Sequence, residues 1–252
     1  MSTLLLALGA GAVTGLALGA LGGGGSVLAV PALIYLLGFT PAAATTASLV
    51  VVTVTSATAL VAHAREGAVR WRAGAVFAAA GIVPAAVGGA VSRQLPAALL
   101  TGAFAVLAAV AALRMLRPSA AGSTSAPVPA RASRVAGAGA GLGAVTGVLG
   151  VGGGFLAVPS LVNVVGLRMR AAIGTSLLVI TINSLTALAA RAGSAVDVDW
   201  SAVGPFAGAA ILGAWDGRRL AARLSAGTLQ RLFAYALLAV AAFMLADALG
   251  PV

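Results

Sequence analysis

The chain has 252 residues, of which 61% are hydrophobic and only 8% charged, so it is too apolar for a soluble domain of that length and reads as an integral membrane protein. Zero cysteines exclude disulfides, thiolate catalysis and Cys-ligated metal, and a single histidine, His63, argues against an all-protein zinc or haem site, so no cofactor is expected. The net charge of +10 rests on 15 basic residues, all arginine, split among short loops without interleaved aromatics, which suits membrane orientation and not nucleic acid.

The first apolar piece, 4–21, has no basic residue before it and continues into the first glycine-rich repeat, so it reads as a membrane segment and not a removed signal. Pieces 26–38, 43–62, 73–91 and 97–116 follow, the longer ones approaching the ~20 residues that cross a ~30 Å core as helix. Next comes RPSAAGSTSAPVPARASR, Arg117 to Arg134, whose Pro, Ser, Gly and Arg content reads as a solvated linker. Pieces 135–150, 154–167, 171–190, 201–215 and 226–246 complete the chain. The expected fold is an all-α integral membrane protein of two homologous repeats, 1–116 and 135–252, joined by a cytoplasmic linker at 117–134.

The duplication is visible letter by letter. GGGGSVLAVP at Gly22 to Pro31 returns as GVGGGFLAVP at Gly150 to Pro159, an offset of 150 − 22 = 128. Sliding 11–62 by that offset matches Gly15 to Gly143, Gly19 to Gly147, Ser48 to Ser176, Thr53 to Thr181, Ser56 to Ser184 and Thr58 to Thr186. If the first two pieces of each half form a hairpin, spanning or re-entrant, each half makes an odd net number of crossings and the halves are inverted. With the N-terminus outside, Arg65, Arg70, Arg72, Arg114, Arg117, Arg131, Arg134, Arg168, Arg170, Arg218, Arg219 and Arg223 fall inside, leaving Arg93 and Arg191 outside; Arg231, within the last piece, is not counted. That positive-inside bias selects inverted repeats.

Glycine clusters followed by proline interrupt a helix, and in lipid the freed N–H and C=O groups survive only where protein or water satisfies them. Paired interruptions in two halves point to a transporter binding site near mid-membrane. The candidates are Gly22, Gly23, Gly24, Gly25 and Ser26 in the first copy, and Gly150, Gly152, Gly153 and Gly154 in the second. The helix ends after them offer N–H groups and positive dipole to an anion. The glycines Gly11, Gly15 and Gly19 read instead as close helix packing.

A second candidate set lies on hydroxyl-rich helices: Thr46, Ser48, Thr53 and Ser56 in the first half, with Thr175, Ser176, Thr181, Asn183 and Ser184 in the second. They can donate to anion oxygens, or equally bond their own helix carbonyls. Arg191 reads as a helix-end arginine snorkelling to the outer face, with an entry or exit charge as its alternative, His63 as an exposed loop histidine, with a coupling role as its alternative, Asp216 as a local partner of nearby arginines in preference to a proton relay, and Trp71 and Trp200 as interfacial anchors.

GVGGGFLAVPSLVNVVGL followed by AAIGTSLLVI, with the weaker copy GGGGSVLAVPALIYLLGF and ATTASLVVV, resembles the TauE/SafE family of sulfite exporter-like membrane permeases. The resemblance continues in LGAWDGRRLAARLSAGTLQRLFAYALLAVAAFML and VGGAVSRQLPAALLTGAFAVLAAVAALRML and covers nearly the whole chain except the linker. It implies transport of small sulfur-containing anions such as sulfite, sulfoacetate or other organosulfonates, usually outward across a bacterial inner membrane. The first copy departs from the pattern at Gly23, where the second has Val151, and at Ser26, where the second has Gly154. The expected partners are the small anion and the lipid bilayer; a homo-oligomer stays open. The alternatives are a channel-like anion permease and a membrane protein with a non-transport role, the latter disfavoured as an enzyme because no nucleophile is paired with a base.

Overall fold

The computed structural model describes residues 2–21, 26–116, 132–150, 154–191, 199–221 and 226–249, and all their regular structure is helical. In chain order the helices are α1 (Ser2–Leu21), α2 (Ser26–Pro31), α3 (Pro41–Arg65), α4 (Trp71–Val91), α5 (Ala97–Leu116), α6 (Ala132–Leu149), α7 (Gly154–Asn163), α8 (Met169–Arg191), α9 (Trp200–Ala221) and α10 (Ala226–Leu249). Helices α1, α3, α4 and α8 contain stretches long and apolar enough to cross a membrane. Large side chains such as Leu5, Val83 and Leu185 stand exposed on these helices, which suits hydrocarbon as the solvent.

Two helices are too short to cross. Pro31 has no N–H to offer the preceding turn, and α2 widens past it into a π-helix, Ala32–Leu36. At 1.5 Å per residue that continuous piece spans only ~16 Å, and the 10 residues of α7 about as much, half of a ~30 Å core. The two short helices touch one another.

Helix α3, at 25 residues, starts on Thr40, whose hydroxyl accepts the Ala43 N–H at 3.3 Å, with Pro41 at the first helical position. It stops in a Schellman turn: the Ala68 N–H reaches the His63 carbonyl and the Gly67 N–H the Ala64 carbonyl, both at 3.0 Å, with Gly67 at φ +67°.

Glycines set the main helix crossings. On α1, Gly11, Gly15 and Gly19 lie against the backbone of Phe206, Ala210 and Ala214 of α9; on α6, Gly139, Gly143 and Gly147 lie against Phe77, Gly81 and Ala85 of α4. A Cβ at any of the six would stand closer than 3.0 Å to a carbonyl oxygen, so backbones pack where side chains elsewhere would separate them. In both crossings the residue numbers rise together, so α1 runs parallel to α9 and α6 parallel to α4. Between them α3 and α8 run antiparallel, because Thr45 meets Arg191 while Ser56 meets Thr181. Helices α5 and α10 pack together on the outside of this arrangement. Phe77 and Phe206, each wholly buried, sit under the two glycine crossings.

Candidate functional site

The second interruption lies between α6 and α7. Helix α6 ends at Gly150, whose φ of +65° is the left-handed conformation that caps a helix, and its N–H returns to the Thr146 carbonyl at 3.0 Å. Gly150 also rests on Thr45, where a Cβ would collide with the Thr45 backbone oxygen. Both facts require glycine here whatever else the position does. Thr45 is in the second turn of α3, so this interruption stands near one end of α3 and not at mid-length.

Arg191 closes the same corner. Its side chain is 4% exposed, so it is buried and does not snorkel as the sequence suggested. One terminal nitrogen donates to the hydroxyls of Thr45 at 2.7 Å and Thr46 at 3.2 Å; the other donates to the carbonyls of Gly147 at 2.7 Å and Val148 at 3.3 Å. Those carbonyls belong to the last turn of α6, which has no helical N–H left for them and carries the negative end of the dipole. The last residue of α8 thereby ties the end of α6 to the start of α3. The sequence signal was present as an arginine at the end of an apolar helix, but the carbonyls it caps are 44 and 43 residues away.

The hydroxyl candidates divide by what holds them. Thr46 donates to the Ala42 carbonyl at 3.0 Å, Thr53 to Leu49 at 2.6 Å, Ser176 to Ile173 at 2.7 Å and Thr181 to Leu177 at 2.7 Å. Ser56 and Thr181 also bond across the α3–α8 seam at 2.8 Å, and Thr175 accepts the Arg70 backbone N–H at 3.0 Å. These groups are occupied within the protein. Ser48, Asn183 and Ser184 are different: fully buried, with side-chain atoms that have no hydrogen-bond partner, and Thr146 on α6 joins them. The Asn183 amide fills the space that a Cβ on Gly81 would take, at the α4–α6 crossing. Leaving a buried polar group unbonded costs about 1–3 kcal/mol, so among the described residues these four side chains are candidates to meet a polar solute or water.

Gly22, Gly23, Gly24, Gly25, Gly152 and Gly153 lie outside the described residues, as does the side chain of Ser26, which opens α2; Gly154 opens α7. His63 is 9% exposed in the last turn of α3, so it is not a loop histidine. It lines a cavity of about 10 Å³ with Leu18, Gly19, Ala59, Ala62, Leu177, Ala214 and Trp215. A second cavity of about 10 Å³ touches Thr45, Leu149 and Phe104. Each has room for about one water. Asp216 pairs with Arg219 at 3.6 Å, and Trp71 and Trp200 stand exposed at the first positions of α4 and α9. Among the described residues no three His, Asp or Glu side chains gather as a metal site would need.

The family model described as Sulfite exporter TauE/SafE matches residues 7–244. The chain belongs to the TauE/SafE family. It is 35% identical over 255 residues to a protein of Xylella fastidiosa strain Temecula1 named "Probable membrane transporter protein", covering 97% of this chain and 96% of that one. A protein of the same name from Xylella fastidiosa strain 9a5c is also 35% identical, over 256 residues. No solved structure matches the chain. TauE/SafE membership makes the chain a multi-pass membrane transporter and not an enzyme.

Proposed function

We propose that this TauE/SafE member is a secondary transporter that exports small sulfur-containing anions, sulfite, sulfoacetate or a related organosulfonate, across a bacterial inner membrane by alternating access of two inverted halves. The observation that carries this reading is the reciprocal crossing. The first helix of each sequence copy packs, in the same glycine register, along the fourth helix of the other, with α3 and α8 antiparallel between them. Parallel α1 and α9, parallel α4 and α6, and antiparallel α3 and α8 are the directions that the positive-inside count requires of inverted repeats.

The anion is held where α3 and α8 meet α6. Ser48, Asn183, Ser184 and Thr146 supply unbonded polar atoms, the Arg191 guanidinium supplies positive charge, and the glycine-led ends of α2 and α7 supply backbone N–H groups. The two cavities, about 10 Å³ each, hold about one water, so a sulfonate would enter only as the helices part, which alternating access supplies. Outward movement of a negative solute from a negative-inside cell releases ~2.3 kcal/mol per charge per 100 mV, so export needs no further coupling.

The test is counterflow in proteoliposomes with a panel of sulfite, sulfate, thiosulfate and sulfonates. Trans-stimulated exchange of a sulfur anion, abolished in Gly24→Val and Gly153→Val at normal protein abundance, is expected. Conductance without exchange would favour a channel, and unchanged exchange in both variants would remove the glycine clusters from the mechanism.

A further inference from the structure

His63 stands in the first sequence copy where Arg191 stands in the second: 63 + 128 = 191. The offset also carries Gly19 to Gly147 and Leu18 to Thr146. Arg191 bonds the Gly147 carbonyl, and His63 lines a cavity with Leu18 and Gly19. The same relation follows from packing. Thr45 faces Arg191 at one end of the antiparallel α3–α8 pair, and moving both by 128 residues, in opposite senses, gives Ile173 and His63 at the other end. Along α3, Thr45 and His63 are 18 positions apart, about 27 Å of helix, close to the ~30 Å thickness of a hydrocarbon core.

From this placement we propose that His63 is the proton-responsive counterpart of Arg191, so that anion affinity at the His63 end of the seam rises when the imidazole is protonated. The proposal rests on the anion-carrier reading above. A guanidinium keeps its charge at every physiological pH, whereas imidazole is the side chain whose ordinary titration falls between pH 5 and 8. Of the two buried basic side chains at the ends of the seam, Arg191 is therefore permanently cationic and His63 conditionally so. The water-sized cavity that His63 lines with Leu18, Ala59, Ala62, Leu177 and Trp215 gives a proton a place beside a side chain that is only 9% exposed.

The charges around it are few. Helix α1 carries no titratable side chain, and α8 contributes Leu177 to the cavity wall. On α9, Asp216 follows the cavity-lining Trp215 and pairs with Arg219. Beyond His63 on its own chain come Arg65 and Glu66, the latter paired with Arg170 of α8 at 3.8 Å. Those pairs are largely exposed to solvent and weakly coupled to a buried ring.

Sulfoacetate exchange in proteoliposomes, with equal pH on both sides, tests the assignment, because this probe keeps both charges above its carboxylate range of ~4. Half-saturation of the wild-type protein is expected to weaken at least ~5-fold from pH 5.5 to 7.5. His63→Arg is expected to hold the tight value, and His63→Gln the weak value, at both pH values. A purely structural histidine would instead lower exchange and melting temperature together, without flattening the pH profile. A flat profile in the wild-type protein, or a wild-type slope in His63→Gln, would overturn the proposal. Absence of sulfoacetate and sulfite exchange at every pH would overturn the carrier reading itself, and the proposal with it.

Discussion

The Arg191 guanidinium donates to the Gly147 carbonyl at 2.7 Å, joining the end of α8 to the end of α6 at the corner where the second glycine cluster begins. Replacing Arg191 by Gln leaves the Gly147 and Val148 carbonyls without their charged donor and is expected to cost about 3 kcal/mol. Lysine keeps the charge but is a point donor that cannot fork to both Thr45 and Gly147, so Arg191→Lys should fall between the two. Denaturant titration in detergent measures the order wild type, Lys, Gln. Equal stability of all three would show that the cap is energetically idle.

The glycine crossings make a sharper steric prediction. Gly143→Ala would place a methyl group against the Gly81 backbone, whereas Gly141→Ala, two residues along the same helix, meets nothing within 4 Å. The first is expected to destabilise by about 1–3 kcal/mol, and the second to be neutral or slightly stabilising through its better helix propensity. Gly15→Ala, set against Ala210, should reproduce the Gly143 result from the other crossing. Melting temperatures in one detergent compare all three.

Ser48→Ala removes a buried hydroxyl that has no partner, so stability should stay level or rise slightly. Its anion exchange should nevertheless fall, by ~5-fold or more if a hydrogen bond of ~1 kcal/mol to the solute is lost. Thr186→Val is the matched control, since the Thr186 hydroxyl is already committed to the Ile182 carbonyl at 2.8 Å. Measuring exchange and melting temperature on the same preparations separates a ligand-facing hydroxyl from a packing one.

Much of this architecture was legible in the letters. The helices fall close to the apolar pieces, and the small-residue spacing of Gly11, Gly15 and Gly19 announced a close crossing. Arg191 and His63 were misjudged because a single sequence shows that a basic residue ends a helix, but not what a distant segment brings to that end. The hydroxyls were legible only as a set. A serine bonded to its own helix, Ser176 on the Ile173 carbonyl, and a serine left unbonded, Ser48, carry the same letter, and only the packed structure separates them.

Asp199 offers a pH-dependent check on α9. The Ser201 hydroxyl donates to its carboxylate at 2.5 Å and the Ser201 N–H at 2.9 Å, and these bonds hold the carboxyl below the usual carboxylate range. A lowered folded pKa means the cap's contribution is present above the ordinary value of 3.8 and is lost as pH falls through the depressed one. Asp199→Ala should therefore reduce melting temperature at pH 7, with the difference from wild type closing in strong acid.

Alternating access, and the pairing of His63 with Arg191 across the membrane, both require the two halves to run through it in opposite senses. Because the chain has no native cysteine, single introduced thiols report sidedness cleanly. Ser123→Cys and Ala195→Cys, probed in intact cells with a membrane-impermeant maleimide, are the direct measurement. Labelling of Ala195→Cys from outside, with Ser123→Cys reacting only after permeabilisation, is the predicted result; modification of both from the same face would rule out inverted halves.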